Sequence, residues 1–278
     1  MRAERRSRPV RTGEFMRDLE VAGDFIYATD GEQLHVMDIS DPGQLDLIRS
    51  LDLPGAIGSF AFEVDVEGSL LFVSGGFMSG LRIFDLADPA SPVEIGSWNG
   101  MTVVRTAVAG DLAVVGAGNS GRVLDLSNPA SPAVLATLSF ESTVRDIEIV
   151  GDLAFVVQAN LGGVAIWDLS TPSSPLQIGE FAPFPLAAED AVIDGDTMYV
   201  AGGAFFGVLE VDISDPSSPV QRGQFDTGGS AVGLALRGGE IFVADFDNGI
   251  YILGCDQGAI FLDDFESGGT GAWSLTSP

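Results

Sequence analysis

The stretch from Gly195 to Pro216 reads GDTMYVAGGAFFGVLEVDISDP, and its order of residues decides the fold. A corner glycine opens it, and two apolar runs flank the glycine-rich turn Gly202 to Gly207. Asp212-Ile213-Ser214-Asp215-Pro216 closes it. Glycines supply the positive φ of a tight hairpin, while the proline fixes φ, removes a ladder donor and ends the second strand. The stop recurs from Asp38, Asp85, Asp125 and Asp168, so its first residues lie 47, 40, 43 and 44 positions apart. Corner glycines recur at Gly23, Gly68, Gly110, Gly151, Gly195 and Gly239, giving a sixth unit without a stop.

A further strand precedes each corner, as in Asp146-Ile147-Glu148-Ile149-Val150, and a fourth follows each stop, as in Pro175-Leu176-Gln177-Ile178-Gly179. Runs such as Leu70-Leu71-Phe72-Val73 are apolar on both faces, which suits small sheets packed between neighbours, and no stretch holds a 3.6-residue apolar period. Repeats of this length with four strands predict the blades of an all-β, six-bladed β-propeller. Pro9-Val10-Arg11-Thr12-Gly13-Glu14-Phe15 matches Pro219-Val220-Gln221-Arg222-Gly223-Gln224-Phe225, so the N-terminal strand is expected to complete the last blade and close the ring. The expected organisation is a basic leader over 1–8, a propeller over 9–254 and a tail over 255–278. The aspartates Asp38, Asp85, Asp125, Asp168 and Asp212 read as structural turns, since they recur wherever the chain must turn.

The pattern G-[IVL]-x-[VI]-[WFV]-D-[IL]-S-x-P-x-x-P after a corner resembles the LVIVD repeat, a propeller-forming family of bacterial and archaeal cell-surface proteins. The resemblance runs from about Pro9 to Leu253; Leu45 replaces the second proline in the first unit, and Leu253 replaces the stop aspartate in the sixth. Asp264-Phe265-Glu266-Ser267-Gly268 with Trp273 resembles a DxFESG-type terminal signature of exported Gram-negative proteins. Together these imply an extracellular or cell-surface protein whose natural N-terminus is longer, with a cytoplasmic location as the alternative.

Acidic residues number 40 against 13 basic ones, a formal charge of −27. Every basic residue is arginine, and six of them stand at or before Arg17. Such a body repels phosphate backbones and anionic lipid, so nucleic-acid binding is not expected, and no apolar run is long enough for direct membrane insertion. A lone cysteine, Cys255, excludes an internal disulfide framework. The sequence sets no oligomeric state.

Ordinary catalytic constellations are missing. His35 is the only histidine, has no serine elbow beside it, and reads as a half-buried strand residue. Asp245-Phe246-Asp247-Asn248-Gly249 reads as a hairpin turn rather than a calcium loop. Two other features are candidates. Five positions before the corners stand Asp18, Glu63, Arg105, Asp146, Asp190 and Leu234, on the strand expected to line the channel. The four carboxylates and Arg105 are candidate ligands for Ca²⁺ or a polar molecule, and equally for neighbouring loop amides. Phe77, Met78, Phe205 and Phe206 in the hairpins, with Trp98 and Phe184 between blades, are candidates for an apolar patch on one end. The expectation is a non-catalytic module binding a protein or glycan through that end. The alternatives are a calcium-dependent, hydrolase-like propeller and a structural spacer.

Overall fold

The computed structural model describes residues 16–41, 44–53, 61–75, 80–159, 162–183, 187–254 and 261–263. They form six four-stranded antiparallel sheets, each a meander in chain order, which are the blades of a β-propeller. Blade one is β1 (Asp18–Ala22), β2 (Phe25–Thr29), β3 (Gln33–Asp38) and β4 (Asp46–Asp52). Blade two is β5 (Ala61–Glu67), β6 (Leu70–Gly75), β7 (Gly80–Asp85) and β8 (Val93–Trp98). Blade three is β9 (Arg105–Ala109), β10 (Leu112–Ala117), β11 (Ser120–Asp125) and β12 (Ala133–Ser139). Blade four is β13 (Val144–Val150), β14 (Leu153–Gln158), β15 (Gly163–Asp168) and β16 (Leu176–Phe181). Blade five is β17 (Asp190–Asp194), β18 (Thr197–Ala201), β19 (Val208–Asp212) and β20 (Val220–Phe225), with the short helix α1 (Gly203–Phe206) in its central hairpin. Blade six is β21 (Ala231–Arg237), β22 (Glu240–Asp245), β23 (Gly249–Gly254) and β24 (Phe261–Asp263). The sheets group into two compact units, residues 1–139 with 171–174 and residues 140–170 with 175–278.

The repeated residues build repeated geometry. Each stop aspartate takes a backbone N–H two residues on: Ser40 on Asp38 at 2.7 Å, Ala87 on Asp85 at 2.9 Å, and Ser127, Ser170 and Ser214 on Asp125, Asp168 and Asp212 at 2.8 Å. The next residue donates back to the corner, as Leu169 does to Asp152 and Ile213 to Asp196, at 2.7 and 2.9 Å. Corner and stop thus seal one end of the central hairpin with both side-chain and main-chain bonds. In blades one to five the third and fourth strands slip register at the same place, for example between Ile166 and Trp167, so each outer strand bends around its blade.

Core packing joins successive blades inside each unit. Phe72, Leu81 and Ile83 of blade two meet Ala113, Val115 and Leu124 of blade three, and Phe155, Val164 and Ile166 of blade four meet Met198, Val200 and Leu209 of blade five. Two outer-strand glycines allow this approach. A Cβ on Gly96 would lie 2.0 Å from the carbonyl of Pro129, and one on Gly179 would lie 1.9 Å from that of Pro216. The stop of one blade therefore docks where its predecessor has no side chain.

Blade six departs from the expected closure. Residues 9–15 lie outside the described residues, and the edge beside β23 is held by β24, with Ile252 opposite Asp263 and Gly254 opposite Phe261. In this blade Gly254, opposite Glu240, takes the place that the stop aspartate holds in the others, and Phe261–Asp263 supply the fourth strand. The turn of its first hairpin falls on Gly238-Gly239, between Arg237 and Glu240. The residue matching Asp18 is accordingly Gly233, one place before the Leu234 of the sequence alignment.

Candidate functional site

The first strands of successive blades lie side by side within each unit, β1 beside β5 and β5 beside β9 in one, β13 beside β17 and β17 beside β21 in the other. Among the described residues of each unit these first strands share no main-chain ladder, so the amides along their inner edges need other acceptors. Carboxylates supply them. Asp18 accepts the N–H of Val64 at 2.8 Å, and Asp190 accepts that of Leu234 at 2.6 Å. On β5 three acids in alternation serve three alternate amides on β9 and at the corner after it: Glu63 takes Thr106, Asp65 takes Val108, and Glu67 takes Gly110 at 3.1 Å. Arg105 donates to the carbonyl of Val104 at 2.9 Å.

Crowding leaves these acids hard to ionise. Burial, and then the negative charge of Asp146 and a hydrogen bond with it, push Asp190 up to about 8. Burial, followed by the charges of Asp65 and Asp18, pushes Glu20 up to about 7. Asp65 rises to about 6 through burial, although the amides of Val108 and Val66 pull the other way. Among the described residues no three His, Cys, Asp or Glu side chains are placed to hold a metal ion. The inner-strand candidates fall as Asp18, Glu63 and Arg105 on adjacent first strands in one unit and as Asp146 with Asp190 in the other; Asp18, Glu63 and Asp190 each accept a backbone amide of the next blade, and Asp146 is hydrogen-bonded to Asp190.

The apolar candidates divide. Phe77, Met78 and Phe184 lie outside the described residues. Trp98 is half-buried against the core between blades two and three, and Phe206 is half-buried against that between blades four and five. Phe205 is 75% exposed. Sequence reading missed its neighbour Phe246, which is 81% exposed, and Ile250, at 66%. Their signal was present: Phe246 stands at the same hairpin end as Phe205, one blade on. Both hairpins are tied to the connection between blades five and six, Gly203 through a bridge to Ala231 and Phe246 through an N–H donated to Ser230 at 2.8 Å.

The turn bearing Phe246 is locked from below. Asp245 accepts the amides of Asp247 at 2.9 Å and Asn248 at 2.8 Å, while Asn248 Nδ2 and the Tyr251 hydroxyl both donate to the carbonyl of Thr227, at 3.0 and 2.7 Å. A glycine at 229 is needed there, because a Cβ would lie 2.2 Å from the Asp245 carboxylate. These bonds fix the backbone of the turn that carries Phe246.

His35 differs most from its sequence reading. It is 1% exposed rather than half-buried, and both ring nitrogens are engaged. Nε2 lies 2.8 Å from Asp30 Oδ2, and Nδ1 lies 2.8 Å from Ser50 Oγ. Neither partner was singled out from the sequence, because they meet only once β2, β3 and β4 are placed in register.

Six repeats of one corner-and-stop pattern, folded as six blades, define a repeat-built β-propeller. The LVIVD repeat family model matches residues 16–52, 60–100, 102–138, 142–182, 187–227 and 228–253, and the chain belongs to that family. No curated protein matches it. Among solved structures it is similar to a protein from Lactobacillus plantarum, at 15% identity and a TM-score of 0.76 over 89% of this chain and 83% of that one. It is similar also to a chain of a mitotic checkpoint complex, at 15% identity and 0.69 over 90% and 76%. A computationally designed protein, Ika8, aligns at 13% identity and 0.66 over 85% and 70%. At these identities the likenesses concern the fold alone. No helix among the described residues is long and apolar enough to cross a membrane.

Proposed function

We propose that this protein is an exported or cell-surface interaction module that binds a protein or glycan through the hairpin end of its blades. The observation carrying this reading is the pair Phe205 and Phe246, at 75% and 81% exposure, on adjacent hairpins tied to one connecting segment. Exposed aromatic side chains on a rigid support supply binding area at little ordering cost, since few rotors remain to be fixed. The exposed acids Asp226 and Asp247 flank them, which favours a neutral or cationic partner over an anionic one. Export is supported by the family and by the terminal signature read from the sequence. The inner-strand acids serve the scaffold in this reading, since their oxygens are spent on amides of the next blade.

The test is saturable binding of the purified full chain to bacterial envelope material, compared with a Phe205→Ser/Phe246→Ser variant. Loss of binding in the variant at unchanged melting temperature is the expected result. Prior digestion of the envelope with protease, or oxidation with periodate, assigns the partner to protein or glycan. Equal binding by both proteins would remove the hairpin end from the account.

A further inference from the structure

Beyond any binding role, blade one carries a connected Ser50–His35–Asp30 relay in which each partner stands on or beside a different strand. Asp30 follows β2, and its Oδ1 accepts the amides of Glu32 at 2.9 Å and Gln33 at 2.8 Å, which fixes the carboxylate in the hairpin turn. His35 is on β3, directly opposite Ser50 on β4. Paired residues of an antiparallel ladder project on one side of the sheet, so register alone delivers the serine hydroxyl to the imidazole.

The chemistry of Asp30 sets the direction of every proton. Burial raises the carboxyl, but the amides of Glu32 and Gln33 and the His35 ring outweigh it and hold Asp30 below its ordinary value. An ionised carboxylate only accepts, so Nε2 of His35 carries a hydrogen, and in the neutral ring Nδ1 presents its lone pair. To that neutral ring the Ser50 hydroxyl donates across 2.8 Å. The ring is turned end for end relative to familiar serine hydrolases, with Nδ1 toward the serine, and the division of roles is the same. Asp30 and His35 are 8% and 1% exposed, while Ser50 is exposed, so the base is shielded and the nucleophile is reachable.

We propose that Ser50, activated by His35 and oriented through Asp30, is the nucleophile of an acyl-transfer site that hydrolyses small uncharged carboxylic esters. Ser50 Oγ bonds to the acyl carbon as its proton passes to His35 Nδ1. Collapse of the tetrahedral adduct breaks the bond to the alkoxide, which leaves with that proton as the alcohol. Water then attacks the acyl-serine, gives a proton to Nδ1, and the carboxylic acid departs as the proton returns to Ser50. β4 is the outermost strand of its sheet, so alternate backbone N–H groups along it face away from β3 and are the donors available to the oxyanion. Leu47, 41% exposed and opposite Met37 on the same side of the sheet, offers apolar contact to a short acyl group. Asp52, bonded to Gln33 at 2.6 Å on the other flank, disfavours an anionic substrate.

The test treats the full chain with a fluorophosphonate probe and with p-nitrophenyl acetate, and locates the adduct by peptide mass spectrometry. A single adduct on Ser50, absent from Ser50→Ala, is expected. Asp30→Asn keeps shape and the oxygen that accepts both amides but turns an NH2 donor toward Nε2, which moves the ring hydrogen to Nδ1 and removes the base. Labelling should then fall by at least about a hundredfold, the usual worth of a general base. His35→Gln should do the same. Should either variant fail to fold, the native protein alone decides: labelling at Ser50 must exceed that of the other serines and vanish in urea. Labelling of Ser50 at the rate of surface serines, or unchanged in a folded Asp30→Asn, would overturn the assignment.

Discussion

The carboxylate of Asp18 accepts the backbone N–H of Val64, on the neighbouring blade, at 2.8 Å. A side chain here does what a fifth strand would do, because β1 and β5 lie side by side without a shared ladder among the described residues. Asp18→Ala should cost ~1–3 kcal/mol by leaving that amide unsatisfied. Asp18→Asn keeps an acceptor and removes a charge that pushes Glu20 up, so its loss should be much smaller. Urea denaturation of the two variants checks the difference.

The raised inner-strand acids give stability a definite slope with pH. Each takes up its proton more readily folded than unfolded, so each favours the fold most below the ordinary carboxylate range near pH ~4. That contribution is lost as pH climbs through about 6 for Asp65, about 7 for Glu20 and about 8 for Asp190. Asp212 acts oppositely: the amide and hydroxyl of Ser214, then Arg222, lower it to about 2, so its contribution is present above pH ~4 and lost as pH falls through about 2. The melting temperature should therefore decline from mildly acidic to mildly alkaline solution. Asp190→Asn should flatten the upper part of that decline, which a melting series from pH 5 to 9 would register.

Close packing of the stops of blades three and five on the blade before makes Gly96 and Gly179 intolerant of any side chain. Gly179→Ala drives a Cβ into the carbonyl of Pro216 at 1.9 Å, and a loss of about 1–3 kcal/mol is expected from overpacking. Gly223→Ala at the matching place in blade five meets only the movable carboxylate of Glu210 at 2.9 Å and should cost less. Midpoints of chemical denaturation rank the pair.

Neighbouring phenylalanines in α1 separate stability from binding. Phe205→Ser removes an exposed ring and should change stability by less than about 0.5 kcal/mol. Phe206→Ser removes a ring packed on the core between blades four and five and should cost about 2 kcal/mol or more. Only the first serves as a probe of the hairpin end.

The scaffold was legible because its signals are local. A corner glycine, a stop aspartate and a proline act through their own φ angles and nearest amides, so counting them counts the blades. Gly238-Gly239 misled by one place, since either glycine satisfies the corner pattern and only pairing of Arg237 with Glu240 chooses between them. The last strand misled because residues 9–15 repeat the fourth-strand pattern of blade five while 261–263 read as part of the tail, and it is the latter that pair with β23. The Ser50–His35–Asp30 relay could not be seen, because the bulge between Val36 and Met37 sets which residue of β4 faces His35. The equivalent place in blade six shows how far this depends on one residue. Asp245 matches Asp30, but Tyr251 stands where His35 would, and it bonds to Thr227 instead.

Hydrogen exchange of the full chain bound to its envelope partner tests the central claim most directly. Slowed exchange confined to the hairpin end of blades five and six, around 203–207 and 226–232 and in the turn bearing Phe246, is the outcome the account requires. Slowed exchange confined to the opposite end, at the corners and stops, would contradict it.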